Sequence, residues 1–156
     1  MHKIQRTLEI KAPVQRVYDF INQPANLPGI WPSVVSVSNI VASKGGAHDF
    51  DWTYKMAGAL MNGHSKVEDA QSGKSVRVRS EGGIPATFNW TYAGLDGAGT
   101  RLTMSVEYTI PATALGKLSE TLVTRLNERD IDMMLANMKD VIEHATLPAS
   151  AGARPH

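Results

Sequence analysis

The sequence predicts an α+β domain of order β-α-α-β(5–6)-α, a curved antiparallel sheet wrapped around a long C-terminal helix with an internal cavity between them. Three observations predict it. Turn signals recur at nearly even intervals (Gly45-Gly46, Gly58, Ser72-Gly73, Gly82-Gly83, Asp96-Gly97), and the segments between them alternate apolar and polar residues. A proline-opened helix precedes this meander, and a long helical pattern free of proline follows it.

Each element has its own justification. Residues 3–11 read as a first strand, with Ile4, Leu8 and Ile10 on one face. Pro13 suits a first helical turn, and Val14, Val17, Tyr18, Phe20 and Ile21 give that helix its apolar side until Pro24 ends it. A short second helix or turn is expected over 25–30, and β structure resumes over 33–42. Within the meander, Phe50, Trp52, Tyr54 and Met56 alternate with Asp51, Thr53 and Lys55. The same period places Ile84, Ala86, Phe88, Trp90 and Tyr92 on one face, and Leu102, Met104, Val106, Tyr108 and Ile110 on another. Short connections of this kind join antiparallel neighbours. The final helix is expected from about 113 to 146, closed by Pro148. It is long enough to cover one apolar sheet face.

Length and composition narrow the field. The 156 residues fit one domain, and 42% hydrophobic content supports a core. The expected organisation is a domain over 1–147 and a small, polar, flexible tail over 148–156. Sixteen Lys and Arg against fifteen Asp and Glu leave a net charge of only +1, which argues against nucleic acid as a partner. With no cysteine there is no disulfide, thiolate metal site or cysteine nucleophile. The uncharged stretch 20–43 is interrupted by Pro24, Pro28 and Pro32 and is not a membrane span. No apolar signal core opens the chain, so a cytoplasmic protein is expected.

With these elements in place, the sequence resembles the START-like, helix-grip superfamily, also called SRPBCC, and within it the polyketide cyclase/dehydrase and lipid-transport members. The resemblance rests on Ile10-Lys11-Ala12-Pro13-Val14-Gln15-Arg16-Val17-Tyr18-Asp19-Phe20-Ile21, on Trp31-Pro32, on the strand Trp52–Gly58, on Glu107–Pro111, and on Leu135–Lys139 with Ile142-Glu143. It spans about residues 3 to 146. It implies a helix-grip fold and a small hydrophobic partner of lipid or polyketide type, and the superfamily mixes carriers, cyclases, hydrolases and partner-binding modules.

The candidate site follows from the stripes. Phe50, Trp52, Tyr54, Phe88, Trp90, Tyr92 and Tyr108 either fill the core beneath the helix or wall a cavity of roughly 300–1,000 Å³. On the helix, Leu122, Leu126, Met133 and Met134 are expected to face the same space, methionine adding a pliable surface. Asp130 falls inside that apolar arc, where a carboxylate needs a partner, water or a shifted pKa. It is the candidate acid or base, with Tyr54 or Tyr92 as proton shuttles. His48, His64 and His144 are scattered without metal spacing, so neither metal nor cofactor is expected. His64 reads as a surface histidine, and Asp49 and Asp51 as a solvated strand face. Three functions fit: a carrier of a small hydrophobic molecule, a cyclase/dehydratase-type enzyme, or a partner-binding module without a ligand.

Overall fold

The alternating segments become six consecutive strands, joined to a first strand that returns to the far end of the sheet. The computed structural model describes residues 1–56, 58–112 and 119–144. β1 (His2–Ile10) leads into α1 (Val14–Ile21), a 3-10 turn at Pro24–Asn26 and α2 (Leu27–Ile30). β2 (Val34–Ala42), β3 (His48–Met56), β4 (Ala59–Gln71), β5 (Ser75–Gly82), β6 (Ala86–Leu95) and β7 (Gly99–Tyr108) follow, and α3 (Glu120–His144) covers one face. The expected beginning of the last helix at 113, its end near 146, Pro148 and the tail 148–156 lie outside the described residues.

All neighbours in the sheet are antiparallel, in the order β1-β7-β6-β5-β4-β3-β2. Tight connections need backbone that most residues avoid. Gly73 and Gly97 sit at φ +75° and +81°, where glycine adopts the left-handed turn without a Cβ clash. Pro13 stands in extended geometry immediately before α1, which buries Val17, Tyr18 and Ile21.

The expectation of a sheet wrapped around the helix is not met. The sheet is open, with β1 and β2 as two separate edges. Those strands are consecutive in the chain, and the segment between them crosses from one edge to the other, packing α1 on β6 and β7 and α2 on β2. β2 is also broken by two register shifts, with Asn39 at φ 51°. Irregularities of this kind turn an edge away from further pairing.

The helix is instead held from its flanks. Along β1, Arg6 Nε donates to Asp132 at 2.7 Å and Lys139 Nζ to the Glu9 carbonyl at 2.6 Å. On the opposite flank, Asn137 Nδ2 donates to the Ile30 carbonyl at 2.9 Å, and Trp31 Nε1 to Asp130 at 2.5 Å. Between these ties α3 buries Val123, Asn127, Ile131, Met134, Met138 and Ile142 against the sheet.

Candidate ligand cavity

A cavity of about 140 Å³ lies between the sheet and α3. Strand register explains where it forms. Directly opposed residues run across five strands as Phe50, Ser65, Ser80, Ala86 and Tyr108, all on the helix-facing side. The three central side chains are small, so a hollow opens between the two aromatics. The next row continues it: Trp52 opposes Gly63, and Gly63 opposes Gly82. A Cβ on Gly63 would overlap Trp52 Cζ2 and lie 2.5 Å from the Glu81 carbonyl oxygen. The Trp52 indole therefore occupies the space that a side chain at position 63 would take. The large aromatics fill much of the inner face, which leaves the void smaller than the roughly 300–1,000 Å³ expected of a typical ligand pocket.

The wall is mainly apolar, and its polar groups are few. Ser65 and Ser80 are buried and bond to each other at 2.6 Å. His48, the first residue of β3, shares the face of Phe50 and Trp52. Its Nδ1 meets the Asn22 carbonyl at 2.8 Å. Because a carbonyl only accepts, Nδ1 carries the proton, and in the neutral ring Nε2 is left as an acceptor. On the α2 side, Trp31 stacks edge-on against Tyr54 and Phe88, with centroids 5.8 and 6.0 Å away. Asp130 Oδ2 accepts from both Trp31 Nε1 and the Tyr54 hydroxyl, the latter at 2.8 Å. Burial, and then the Asp130 charge, push the Tyr54 phenol well above the ordinary tyrosine range, so it remains a neutral donor. At the β7 end, Tyr108 and Asn127 face the cavity.

The candidate residues sort into four groups. Phe50, Trp52, Tyr54, Phe88, Trp90, Tyr108 and Met134 line the cavity. Tyr92 is buried behind it, packed edge-on against Tyr18 at 5.1 Å, and its hydroxyl accepts from Asn22 Nδ2 at 3.2 Å. It is outside the cavity wall and badly placed to shuttle protons there. Leu122, Leu126 and Met133 are 42%, 39% and 48% exposed and point away from the sheet. That corrects the expected helix face. The buried stripe runs through Val123, Asn127 and Ile131, and a polar residue at its centre shifts the apparent apolar arc by one position. Asp130 sits on the shoulder of this stripe, half-buried, with its carboxylate turned to α2 and β3.

His64 lies on the outer sheet face, where Nδ1 is 2.6 Å from Asp51, and Asp49 accepts from the Val67 amide. Among the described residues no group of three His, Asp or Glu side chains could hold a metal. No described helix is long and apolar enough to cross a membrane. His48, Asn22, Ser65, Ser80 and Asn127 are cavity residues that pattern reading missed.

With this geometry in hand, the relatives take their place. The chain belongs to the polyketide cyclase / dehydrase and lipid transport family, which it matches over residues 1–143. No curated protein sequence matches it. Its fold is similar to that of TTHA0849 from Thermus thermophilus, with a TM-score of 0.78 and 20% identity over 93% of this chain and 99% of the other. It is similar as well to the Zhui aromatase/cyclase from Streptomyces sp. R1128, with a TM-score of 0.76 and 18% identity over 95% and 97% of the two chains. A START superfamily protein from Mycobacterium smegmatis gives a TM-score of 0.74 at 12% identity, covering 93% of this chain and 99% of that one. At these identities the likeness establishes the helix-grip fold.

Proposed function

We propose that this domain binds a small hydrophobic or aromatic molecule in the cavity between sheet and α3. The carrying observation is the row of small residues, Ser65, Ser80 and Ala86, that keeps about 140 Å³ open beneath the helix. A void of about 150 Å³ lined by apolar side chains takes up benzene in other proteins, which sets the scale of the ligand at one ring with a small substituent. Native mass spectrometry of the protein as purified from cells tests for a retained molecule, and NMR titration with single-ring compounds tests uptake directly. Ala86→Leu adds three carbons to the cavity floor and is expected to abolish uptake while the fold persists. Undiminished binding in that variant, or no uptake by the native protein, would overturn the proposal.

A second reading, an enzyme of the cyclase/dehydratase type, is favoured by one feature: Tyr54, which lines the cavity, donates to Asp130, which stands behind the lining. In this reading Asp130 takes up a substrate proton and Tyr54 holds the carboxylate in place (acid–base work of the kind positioned side chains perform). The family's description and the likeness to an aromatase/cyclase support a polyketide-like or aromatic substrate class. Asp130→Asn is then expected to abolish turnover at retained binding. Unchanged turnover in that variant would remove Asp130 from the mechanism.

A further inference from the structure

Two buried side-chain atoms have no hydrogen-bond partner among the described residues, the Tyr108 hydroxyl and Asn127 Nδ2, and both belong to cavity-lining residues. Tyr108 is 5% exposed and Asn127 8%. They reach the same end of the cavity from different elements, the last residue of β7 and the second turn of α3. Asn127 and Thr124 lie close enough to the phenol to act on it as weak donors, each opposing the rise that burial causes, but neither meets it in hydrogen-bonding geometry. Elsewhere in the described interior buried polar groups are paired, as Ser65 with Ser80 and Asn22 with Tyr18 and Tyr92 illustrate. An unmade bond in such a place costs free energy, so a pair of orphans at one end of a cavity points to a group supplied from outside.

We infer that Tyr108 and Asn127 form a polar anchor for one uncharged acceptor oxygen, a ketone, aldehyde or phenol oxygen, carried by the ring compound that the cavity holds. The inference rests on the ligand-binding reading above and adds the ligand's functional group. Both orphans can donate, one from a phenol and one from an amide, and two donors converge best on a single acceptor. The acceptor is neutral because Glu128 and Glu120 both place negative charge near this end, and the one imidazole packed on Tyr108, that of His2, is already paired with Glu120. A carboxylate ligand would lose its hydration there and meet repulsion.

Three nearly isosteric probes separate the possibilities: α-methylstyrene, acetophenone and benzoate, titrated by protein NMR against the native chain, Tyr108→Phe and Tyr108→Phe/Asn127→Leu. Acetophenone is expected to bind the native chain best and benzoate not to bind. Its preference over α-methylstyrene should fall about tenfold in the double variant, the loss expected for two neutral hydrogen bonds. Comparing ratios cancels the difference in ligand hydration. Both variants should match or exceed the native melting temperature, because they delete unpaired polar groups. If α-methylstyrene binds but acetophenone is not preferred, or the preference survives in the double variant, the anchor is refuted alone. If neither neutral probe binds, ligand binding itself fails and the anchor with it. A clear fall in melting temperature for Tyr108→Phe would mean the hydroxyl is bonded within the fold, and would also overturn the anchor.

Discussion

Replacing Asp130 by alanine removes the acceptor shared by Trp31 and Tyr54, and the structure allows the cost to be worked out. The carboxylate takes one bond of 2.5 Å from the indole and one of 2.8 Å from the phenol. A hydrogen bond to an ionised partner contributes about 1.5–3 kcal/mol, so the two amount to about 3–6 kcal/mol. Asp130 is only half-buried, and water reaching the abandoned donors brings the expected loss to the lower end, about 3 kcal/mol. For a chain of this size that corresponds to a fall of about 6–12 °C in Tm. Asp130→Asn keeps one carbonyl oxygen as acceptor for both donors and exchanges the charge and the other oxygen for an amide NH2, so its loss should be about 1 kcal/mol. Urea denaturation followed by tryptophan fluorescence measures both, with Trp31 as a local reporter. A change below about 1 kcal/mol for the alanine variant would refute the claim that this carboxylate ties α3 to α2 and β3.

The remaining predictions concern other parts of the fold. Gly63→Ala places a methyl against the Trp52 ring and the Glu81 carbonyl, and should cost about 1–3 kcal/mol while altering the near-ultraviolet circular dichroism of Trp52; an unchanged signal would count against the close approach. All four tyrosines are held above their ordinary pKa of 10.0, each chiefly by burial. Each raised folded value contributes stability that is fully present below pH 10.0 and is lost as pH rises from there through the folded value, so phenolate absorbance should appear together with unfolding. A phenolate step in the intact fold at the ordinary tyrosine pKa would contradict this. Glu143, which accepts from Lys139 and the Lys11 amide, lies below its usual 4.5. Its contribution is therefore present above pH 4.5 and lost as pH falls through the depressed folded value. Glu143→Gln should be less stable than the native chain at neutral pH and lose less on acidification; parallel acid melts for the two would rule the contribution out.

What the sequence disclosed divides by the kind of physics involved. Strand alternation is local, so the faces of β3, β6 and β7 were legible residue by residue. Register is not local, and hairpin turns determine it only in part: counting back from Gly58 pairs Phe50 with Ser65, but counting from Gly73 pairs Ser65 with Glu81, and it is the bulge between Val67 and Asp69 that shifts the partner to Ser80 and brings the two serines beneath the helix. His48 was legible by the same period that selected Phe50 and Trp52. Sheet closure depends on two edges far apart in the sheet, and nothing in the alternation of β1 or β2 says whether they meet. On α3 the misleading residue is Asn127. A polar side chain at the centre of the buried stripe made Leu122 and Leu126 look like the inward face, although both are solvent-exposed.

The size of the cavity follows from walls of two kinds. The sheet side is unyielding: Trp52 lies across Gly63, and a shift of its ring towards the sheet would drive it into backbone already at contact distance. The serine pair is bonded to itself, and Ala86 has nothing to retract. The helix side differs. Met134 and Met138 line the void from α3. Methionine changes rotamer at little cost and fits irregular shapes. A ligand larger than one ring must therefore gain room among the methionines, towards α3, while its far edge stays against the serines and Ala86. Growth in that direction leaves the Trp52 contact untouched and moves the ligand along the face of α3 that carries Asn127. If the cavity binds as proposed, size selection and polar recognition would be set by the same helix face, the one whose central asparagine obscured it in the sequence.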